Sequence, residues 1–537
     1  MFEQLRKRFA RWIAPKQKMQ TRQYAMAKPS RLTSGWGNQT TSEDSELSSS
    51  LRTARARSRE LVRDAAYAKR AKVIVQNNVV GSGIGMQAKV QSSKGVLNDA
   101  INDDIEQKWE EWACASSCHT GGALHFSDLE RVAIGQVFEA GEVFIRIHHE
   151  KFGNSKIPFA LEVIEAERIA DEFQPSALLP NTAVRLGIET DSFHRPVAYW
   201  LRTTHPGELR LTPEQTTKIE RVPAENIIHL RIIERWPQTR AMPWMHAAAR
   251  KLNDMDGLTE AEITAARGAA CYMGFIQSPE GETNYGDEQP DGSSQVSLEP
   301  AIVEKLAPGE TFNFAAPNRP NAQLDPFMRM MLREVAAGSG CSYESLSRDY
   351  SQSNYSSSRL ALMDDRDLWR MLQLWFIRSF RELIHKQWLQ AAVLSRTIQS
   401  ISVDAYALNP SKFEQIRFKP RGWSWIDPTS EVEAYKEAIS AGFTTVSHVI
   451  AQTGDGRDLE DVLNERAQEL DMMESKGLVF DTDPSTVVLA PAPGEPSNAQ
   501  GNGKPMNESA ESDDPAVEQA EKMLRTFMRS FSRTMHR

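Results

Sequence analysis

Residues 347–359, SRDYSQSNYSSSR, put hydroxyl, amide, carboxylate and guanidinium groups into one short segment, with five serines after Tyr350, two tyrosines and neither glycine nor proline. Its serine and asparagine side chains suit turns and a helix N-cap rather than catalysis, because they accept from free backbone N–H groups. Cys114, Cys118 and His119 bring thiols and an imidazole together. Cys-x-x-x-Cys-His is not the haem-attachment spacing, and no second cluster completes a zinc site, so no metal is expected. Gly81, Gly83 and Gly85 invite comparison with a phosphate-cradling loop. Such a loop must open a helix whose N-terminus holds the anion, whereas the residues that follow alternate like a strand. A turn with left-handed glycines is expected instead. Asp364 and Asp365, adjacent on a predicted helix, point about 100° apart. With Asp367 they read as polar-face residues, not as a carboxylate pair. His148 and His149 are adjacent on a predicted strand and face opposite sides.

No Gly-x-x-x-x-Gly-Lys-Ser/Thr occurs, because Pro505 breaks the pattern in GNGKP, and neither His-Glu-x-x-His nor Gly-x-Ser-x-Gly is present. No constellation requires an enzyme, and no cofactor is implied. The net charge is −9, from 72 acidic and 63 basic residues. That argues against a surface that grips nucleic acid everywhere, though not against one past which nucleic acid slides. Hydrophobic residues at 40% and charged residues at 25% are ordinary for a globular protein of 537 residues. No run approaches the roughly 18 apolar residues of a membrane-spanning helix. Cys114, Cys118, Cys271 and Cys341 are too few to staple such a chain, so free thiols in a reducing compartment are expected.

The elements around these groups follow from periodicity. Residues 1–48 read as an arm whose start, MFEQLRKRFARWIAPKQK, carries a helical apolar stripe at Phe2, Leu5, Phe9, Trp12 and Ile13. It suits docking to a partner or a membrane surface, and it lacks the apolar core of a secretory signal. A helix is expected over 51–80, with basic residues from Arg52 to Lys72 that form either a solvated face or a nucleic-acid patch. Helices follow at 101–112 and 127–140. Residues 142–229 alternate or run apolar between Pro, Gly and Asp, which marks a β-rich domain. A long helix is expected over 243–276, opened by Pro243 and striped by Met245, Ala248, Leu252, Met255, Thr259, Ile263, Ala266 and Ala270. A Gly/Pro-rich excursion, short strands about a Pro308–Gly309 turn and a helix at 327–337 come next. The helix over 360–394 holds Trp369, Trp375, Phe376, Phe380 and Trp388, a core pattern. Asp427, Pro428 and Glu431 mark a further helix start, with ends at Gly442 and near Gly454. Residues 484–515 have the composition of a disordered linker. Residues 517–537 form a basic amphipathic pattern.

Several blocks resemble the portal proteins of lambda-like tailed bacteriophages. They are RELVRDAAYAKRAKVIVQNNVVGSGI at 59–84 and QTRAMPWMHAAARKLNDMDGLTEAEITAARGAACYMGFI at 238–276. LAPGETFNF at 306–314 and MLREVAAGSGCSYESLSRDYSQSNYSSSRLAL at 331–362 follow. The last, at 421–470, is RGWSWIDPTSEVEAYKEAISAGFTTVSHVIAQTGDGRDLEDVLNERAQEL. The blocks keep the family's order, and SYESLSRDYSQSNYSSSR is the most specific string. The departures are the tails, 1–48 and 481–537.

The resemblance implies an α+β portal fold that assembles as a ring, usually of twelve subunits, at one capsid vertex of the virion, from protein made in the bacterial host cytoplasm. Double-stranded DNA would pass through non-specifically, pumped by a separate terminase and later ejected. The implied partners are the large terminase subunit, the major capsid protein and a head-completion or adaptor protein, with no small-molecule substrate. The implied parts are an N-terminal arm (1–48), a wing of helices then strands (49–240) and a stem helix (241–276). A clip (277–325), a second stem helix (326–340), a channel-facing loop (341–359) and a long helix with wing return (360–424) come next. Crown helices (425–480), a linker (481–515) and a C-terminal helix (516–537) complete the chain. Arg348, Tyr350, Asn354, Tyr355 and Arg359 become DNA-channel candidates, and Arg250, Lys251 and Arg267 become stem-helix candidates. The rival readings are a DNA-binding, metal-dependent nuclease using the basic helix with Asp364 and Asp365, and a membrane-associated scaffold using the two basic ends.

Overall fold

In the computed structural model, the described residues are 39–92, 96–176, 178–208, 218–271, 323–423, 428–453 and 459–478, with four short strands between 274 and 314 and isolated positions before 38. Two compact units divide at Asn464.

The first helix, α1 (Glu43–Asp64), begins inside the segment read as an arm, because Leu47 and Leu51 are buried. Three acidic residues in its first turn complement the helix dipole. The helix expected over 51–80 is two helices. Ala65 turns extended, at φ −93° and ψ 122°, and α2 (Ala66–Val79) follows. Gly81 and Gly83 have φ of +63° and +132° and lead into β1 (Gly85–Ala88). This is the turn expected from the sequence, with no helix for an anion to face. Helices α3 (Asp99–Ala113), α4 (Ala115–Cys118) and α5 (Phe126–Ala140) come next.

The β-rich region forms two antiparallel sheets. One has the order β3 (Ala160–Ile164), β2 (Glu142–His148), β8 (Ile227–Arg231). The other runs β4 (Ala183–Arg185), β5 (Ile188–Thr190), β6 (Pro196–Arg202), β7 (Ile219–Pro223). A small core of Phe144, Ile164, Ile188, Tyr199, Leu201 and Val222 lies between them. His148 and His149 do point apart, toward Glu162 at 3.0 Å and Asn226 at 3.2 Å.

Helix α6 (His246–Cys271) starts three residues after Pro243, which therefore precedes the helix rather than opening it. Its 26 residues span about 39 Å at 1.5 Å each. The expected apolar stripe is buried only in its first half. Met245, Ala248, Leu252 and Met255 are in the core, while Thr259, Ile263 and Ala266 are exposed. The chain continues through β9 (Gly274–Gln277), β10 (Asp287–Glu288), β11 (Ser294–Gln295) and β12 (Thr311–Phe314). β9 pairs antiparallel with β12, and β10 with β11. Pro308 and Gly309 lie outside the described residues. Helix α7 (Leu324–Ser339) returns beside α6. A Cβ on Gly338 would sit 3.1 Å from Ala248, and Lys251 pairs with Glu334 at 3.4 Å. The start of α6 thus meets the end of α7, and the two run antiparallel.

After the short α8 (Tyr343–Ser347), α9 (Tyr355–Phe376) begins five residues earlier than expected. It passes through a π-helical stretch, Ile377–Arg381, into α10 (Glu382–Leu394). Trp369, Phe376, Phe380 and Trp388 are buried, as the core pattern required. The centroids of Trp109 and Trp388 lie 5.0 Å apart, edge to face, and those of Phe126 and Phe380 lie 6.1 Å apart, stacked. Such aromatic pairs add about 0.5–1.5 kcal/mol each beyond their burial. Helices α11 (Val403–Leu408) and α12 (Pro410–Phe413) lead to β13 (Ile416–Lys419), which closes a two-stranded sheet with β1. Helices α13 (Pro428–Ser440), α14 (Val446–Thr453) and α15 (Leu459–Lys476) follow. Gly442 is left-handed just past α13, as a helix end requires. Asp427, Gly454, the apolar stripe from Phe2 to Ile13 and residues 479–537 lie outside the described residues. Among the described residues no helix is long and apolar enough to cross a membrane.

Candidate functional site

The segment 347–359 is less of a loop than its composition suggests. Helix α7 ends on left-handed Gly340, whose missing side chain leaves room for Leu368, only 3.0 Å from where a Cβ would stand. Ser342 then caps α8 by accepting from the Ser345 N–H. The carboxylate of Asp365, on α9, accepts from the Ser342 N–H at 2.8 Å, the Ser342 hydroxyl at 2.7 Å and the Ser345 hydroxyl at 2.8 Å. Asp365 is therefore buried and holds α8 to α9; the polar-face reading holds for exposed Asp364 and Asp367 but not for it. Arg70 on α2 donates to the Ser345 carbonyl at 3.3 Å.

The true loop is 348–354, and it is braced from within. Arg348 adopts left-handed backbone at φ +59°, and its N–H donates to the Glu344 carbonyl. Asp349 accepts from the Tyr343 hydroxyl at 2.8 Å and the Ser351 N–H at 3.0 Å, and it lies 3.7 Å from Arg329. Hydrogen bonds from Ser351 first, then Tyr343, hold its carboxyl down at about 2. Asn354 closes the loop as the N-cap of α9. It accepts from the Ser357 N–H at 2.8 Å while the Ser357 hydroxyl accepts from the Asn354 N–H at 3.1 Å. This reciprocal box satisfies two of the helix's free donors. The cap is thus Asn354, not the 356–358 serines, which already lie in the first turn.

Arg348, Tyr350, Asn354 and Tyr355 share this short exposed turn, the two tyrosines being 60% and 59% exposed. Arg359 is withdrawn from it, 3.7 Å from Glu431 on α13. Arg250 and Arg267 are exposed on α6, and Lys251 is engaged with Glu334.

The basic run from Arg52 to Lys72 is split: Arg52, Arg57, Arg63 and Lys69 are exposed, as the solvated-face reading expects, while Arg55, Arg59, Arg70 and Lys72 turn inward. Arg55 donates to buried Glu142 at 2.8 Å. Arg59 makes paired bonds to Glu167 at 2.8 and 2.9 Å and reaches Glu139 at 3.2 Å. Lys72 pairs with Glu139. Glu142 also receives Arg240 at 2.7 Å and the His229 ring at 2.8 Å. Burial opposes ionisation of Glu142, but Arg240, the hydrogen bond from His229 and Arg55 outweigh it and hold its carboxyl well below the usual range. Sequence reasoning missed this cluster. Its only local signal was a carboxylate heading an apolar strand, and its partners lie 87 and 98 residues away.

Among the described residues, Glu165, Glu167 and His205 are close enough to share a cation. Arg59 already occupies that position, with Glu167 at 2.8 Å and Glu165 at 3.5 Å. The His205 Nδ1 accepts from the Gly207 N–H at 3.0 Å, so in neutral histidine the other nitrogen carries the proton. The cluster is a salt-bridge network rather than a metal centre. The Cys118 thiol points at the Ala113 carbonyl at 3.3 Å and is pushed up to about 12 by burial, while Cys114 is exposed.

Comparison with known proteins bears on this arrangement. The chain is 28% identical over 473 residues to the "Probable portal protein" of Halomonas phage phiHAP-1, covering 87% of this chain and 89% of that one. It is 22% identical over 482 residues to "Portal protein B" of Escherichia phage lambda, covering 82% and 88%. A solved structure described as "Neck of empty GTA particle computed with C6 symmetry" aligns with a TM-score of 0.41 and 13% identity, covering 79% of this chain and 98% of that one. The family described as "Phage portal protein, lambda family" matches residues 29–373, from the arm through the braced loop into α9. The chain belongs to the lambda family of phage portal proteins.

Proposed function

We propose that the chain assembles as a ring at one capsid vertex and serves as a conduit for double-stranded DNA during packaging and ejection. The observation that carries this reading is the family match over residues 29–373. The fold is compatible with it. Antiparallel α6 and α7 serve as the stem, β9–β12 fall within the clip, the two sheets with α1–α5 make the wing, and α13–α15 approach the crown. The partners are further copies of the chain, the terminase, the capsid protein, a head-completion protein and DNA. The role is structural, with no chemistry on a substrate.

Electrostatics favours passage over retention. Each phosphate neutralised by a cation adds affinity that would brake a moving duplex. The chain carries a net −9, and part of its basic run is spent on internal carboxylates. The loop offers Asn354 and Tyr355, neutral groups that can hydrogen-bond to phosphate without an ion pair. We place this loop and the first turn of α9 on the channel wall.

Electron microscopy of purified protein tests the ring: particles with a central hole are expected. A stable monomer that cleaves DNA when given a divalent metal would overturn the reading in favour of a nuclease.

A further inference from the structure

We infer that the loop tip of one copy, Arg348 with Tyr350, docks into the groove between α7 and α9 of the next copy. This rests on the ring reading above. The groove has a volume of about 640 Å³, with Ala337, Cys341, Leu368 and Met371 among its walls and Asp364 and Asp367 on its lining. Met371 on its wall is 64% exposed, and Leu360 and Met363 on α9 and Met330 on α7 are 70%, 51% and 56% exposed. A patch of large apolar side chains rimmed by polar groups marks an interaction surface rather than a solvated face.

The tip complements this groove in charge. Among the described residues no carboxylate pairs with Arg348, and the like charge of Arg70 lies near enough to act on it. Among the described residues Asp364 is exposed on the groove and pairs with no cation, while Asp367 pairs with Arg370, also on the lining, at 2.9 Å. Tyr350 supplies the apolar part, with a ring wide enough to bury about 150–250 Å². Tyrosine and arginine are the residue types that most often anchor interfaces.

The tip is also prepared to bind. The Asp349 bonds to Tyr343 and Ser351, and the Asn354–Ser357 box, already fix the backbone on both sides of Tyr350. Docking therefore orders little new chain, which lowers its entropic cost. The braced tip leaves Tyr350 60% exposed within its own subunit. Tip and groove are different surfaces of one chain, so each copy offers one of each. A contact of that kind is heterologous and propagates head to tail, and it closes a ring when the rotation allows. Asn354 and Tyr355 remain for the channel.

Crosslinking of full-length assembled rings tests this. Tyr350→Cys with Met371→Cys, in a background carrying Cys114→Ser, Cys271→Ser and Cys341→Ala, should give a ladder of disulfide-linked multimers on oxidation, and each single variant should give none. Rings without a ladder, or only an intrachain bond, would overturn the inference while leaving the ring reading intact. Failure of the wild-type chain to form rings would overturn both. As a second measurement, Arg348→Glu and Asp364→Arg should each lower ring yield by roughly tenfold or more through like-charge contact, and the double swap should restore it. Full ring yield from Arg348→Glu with a loss of packaged DNA would assign Arg348 to phosphate and sink the docking contact.

Discussion

The Arg240 guanidinium lies 2.7 Å from the Glu142 carboxylate, and neither side chain is exposed at all. The same guanidinium donates to the Leu186 carbonyl at 2.9 Å and the Ala166 carbonyl at 3.1 Å. Glu142 heads β2 in one sheet, and Leu186 joins two strands of the other. One side chain just before α6 therefore ties the helix entry to both sheets. Its neighbours Arg55 and His229 complete the hydrogen bonding of Glu142.

Removing one partner of a buried pair leaves an uncompensated charge, which costs about 3–5 kcal/mol. Arg240→Met should lower the unfolding free energy by less than that, because Arg55 still pairs with Glu142 at 2.8 Å. Glu142→Gln alone strands both Arg240 and Arg55, whereas the double variant strands only Arg55, so its loss should be smaller than the sum of the two single losses. Urea unfolding of the single and double variants checks this, and additive losses would count against coupling.

His229 and His385 are both pushed down to about 3, chiefly by burial and then by Arg231 and Arg381 respectively. The unfolded chain takes up these protons near the ordinary value of 6.5, while the folded chain refuses them until about 3. Between those values the unfolded state binds more protons, so stability is present above pH 6.5 and is lost as pH falls. At pH 5 the loss is about 2 kcal/mol for each histidine. His385→Phe should flatten the pH dependence of the urea midpoint between pH 7 and 5, and an unchanged slope would count against it.

Asp365→Ala should destabilise the chain by about 1–3 kcal/mol, because it strands the Ser342 N–H and two hydroxyls. Amide exchange over 342–347 should quicken in this variant. Asp364→Ala, one residue away but exposed, should leave both readouts unchanged.

Asn354→Ala should cost about 1 kcal/mol through loss of the α9 cap. Hydrogen exchange should report fraying confined to the first turn, 355–358. A global loss of protection would indicate that the loop, rather than the cap, carries the effect.

Tyr355→Glu places a negative charge on the wall assigned to the channel. Rings should form in normal yield and package less DNA, measured as nuclease-protected length per particle. Normal packaging would remove Tyr355 from the channel wall.

Local pattern fixed much of this protein. The strands β2, β3, β6 and β8, the left-handed turn at Gly81 and Gly83, and the buried aromatics of α9 and α10 follow from periodicity and glycine chemistry within a few residues. The blocks that resemble portal proteins likewise lie in the linear string. What the tertiary structure decided depends on distant partners. Arg55 and Arg59 look solvent-facing until β2 brings Glu142, and the turn after β3 brings Glu167, to them. Asp365 looks like its neighbour Asp364 until α8 folds back and buries it. The early start of α9 was set by Asn354 and Ser357 acting reciprocally, a cap chosen from a segment with several serines of equal local claim. Hydrophobic period is a property of one segment, whereas the pairing of a charge belongs to whichever segments the fold brings together. That is why the framework was legible in the sequence and the burial of its ionic groups was not.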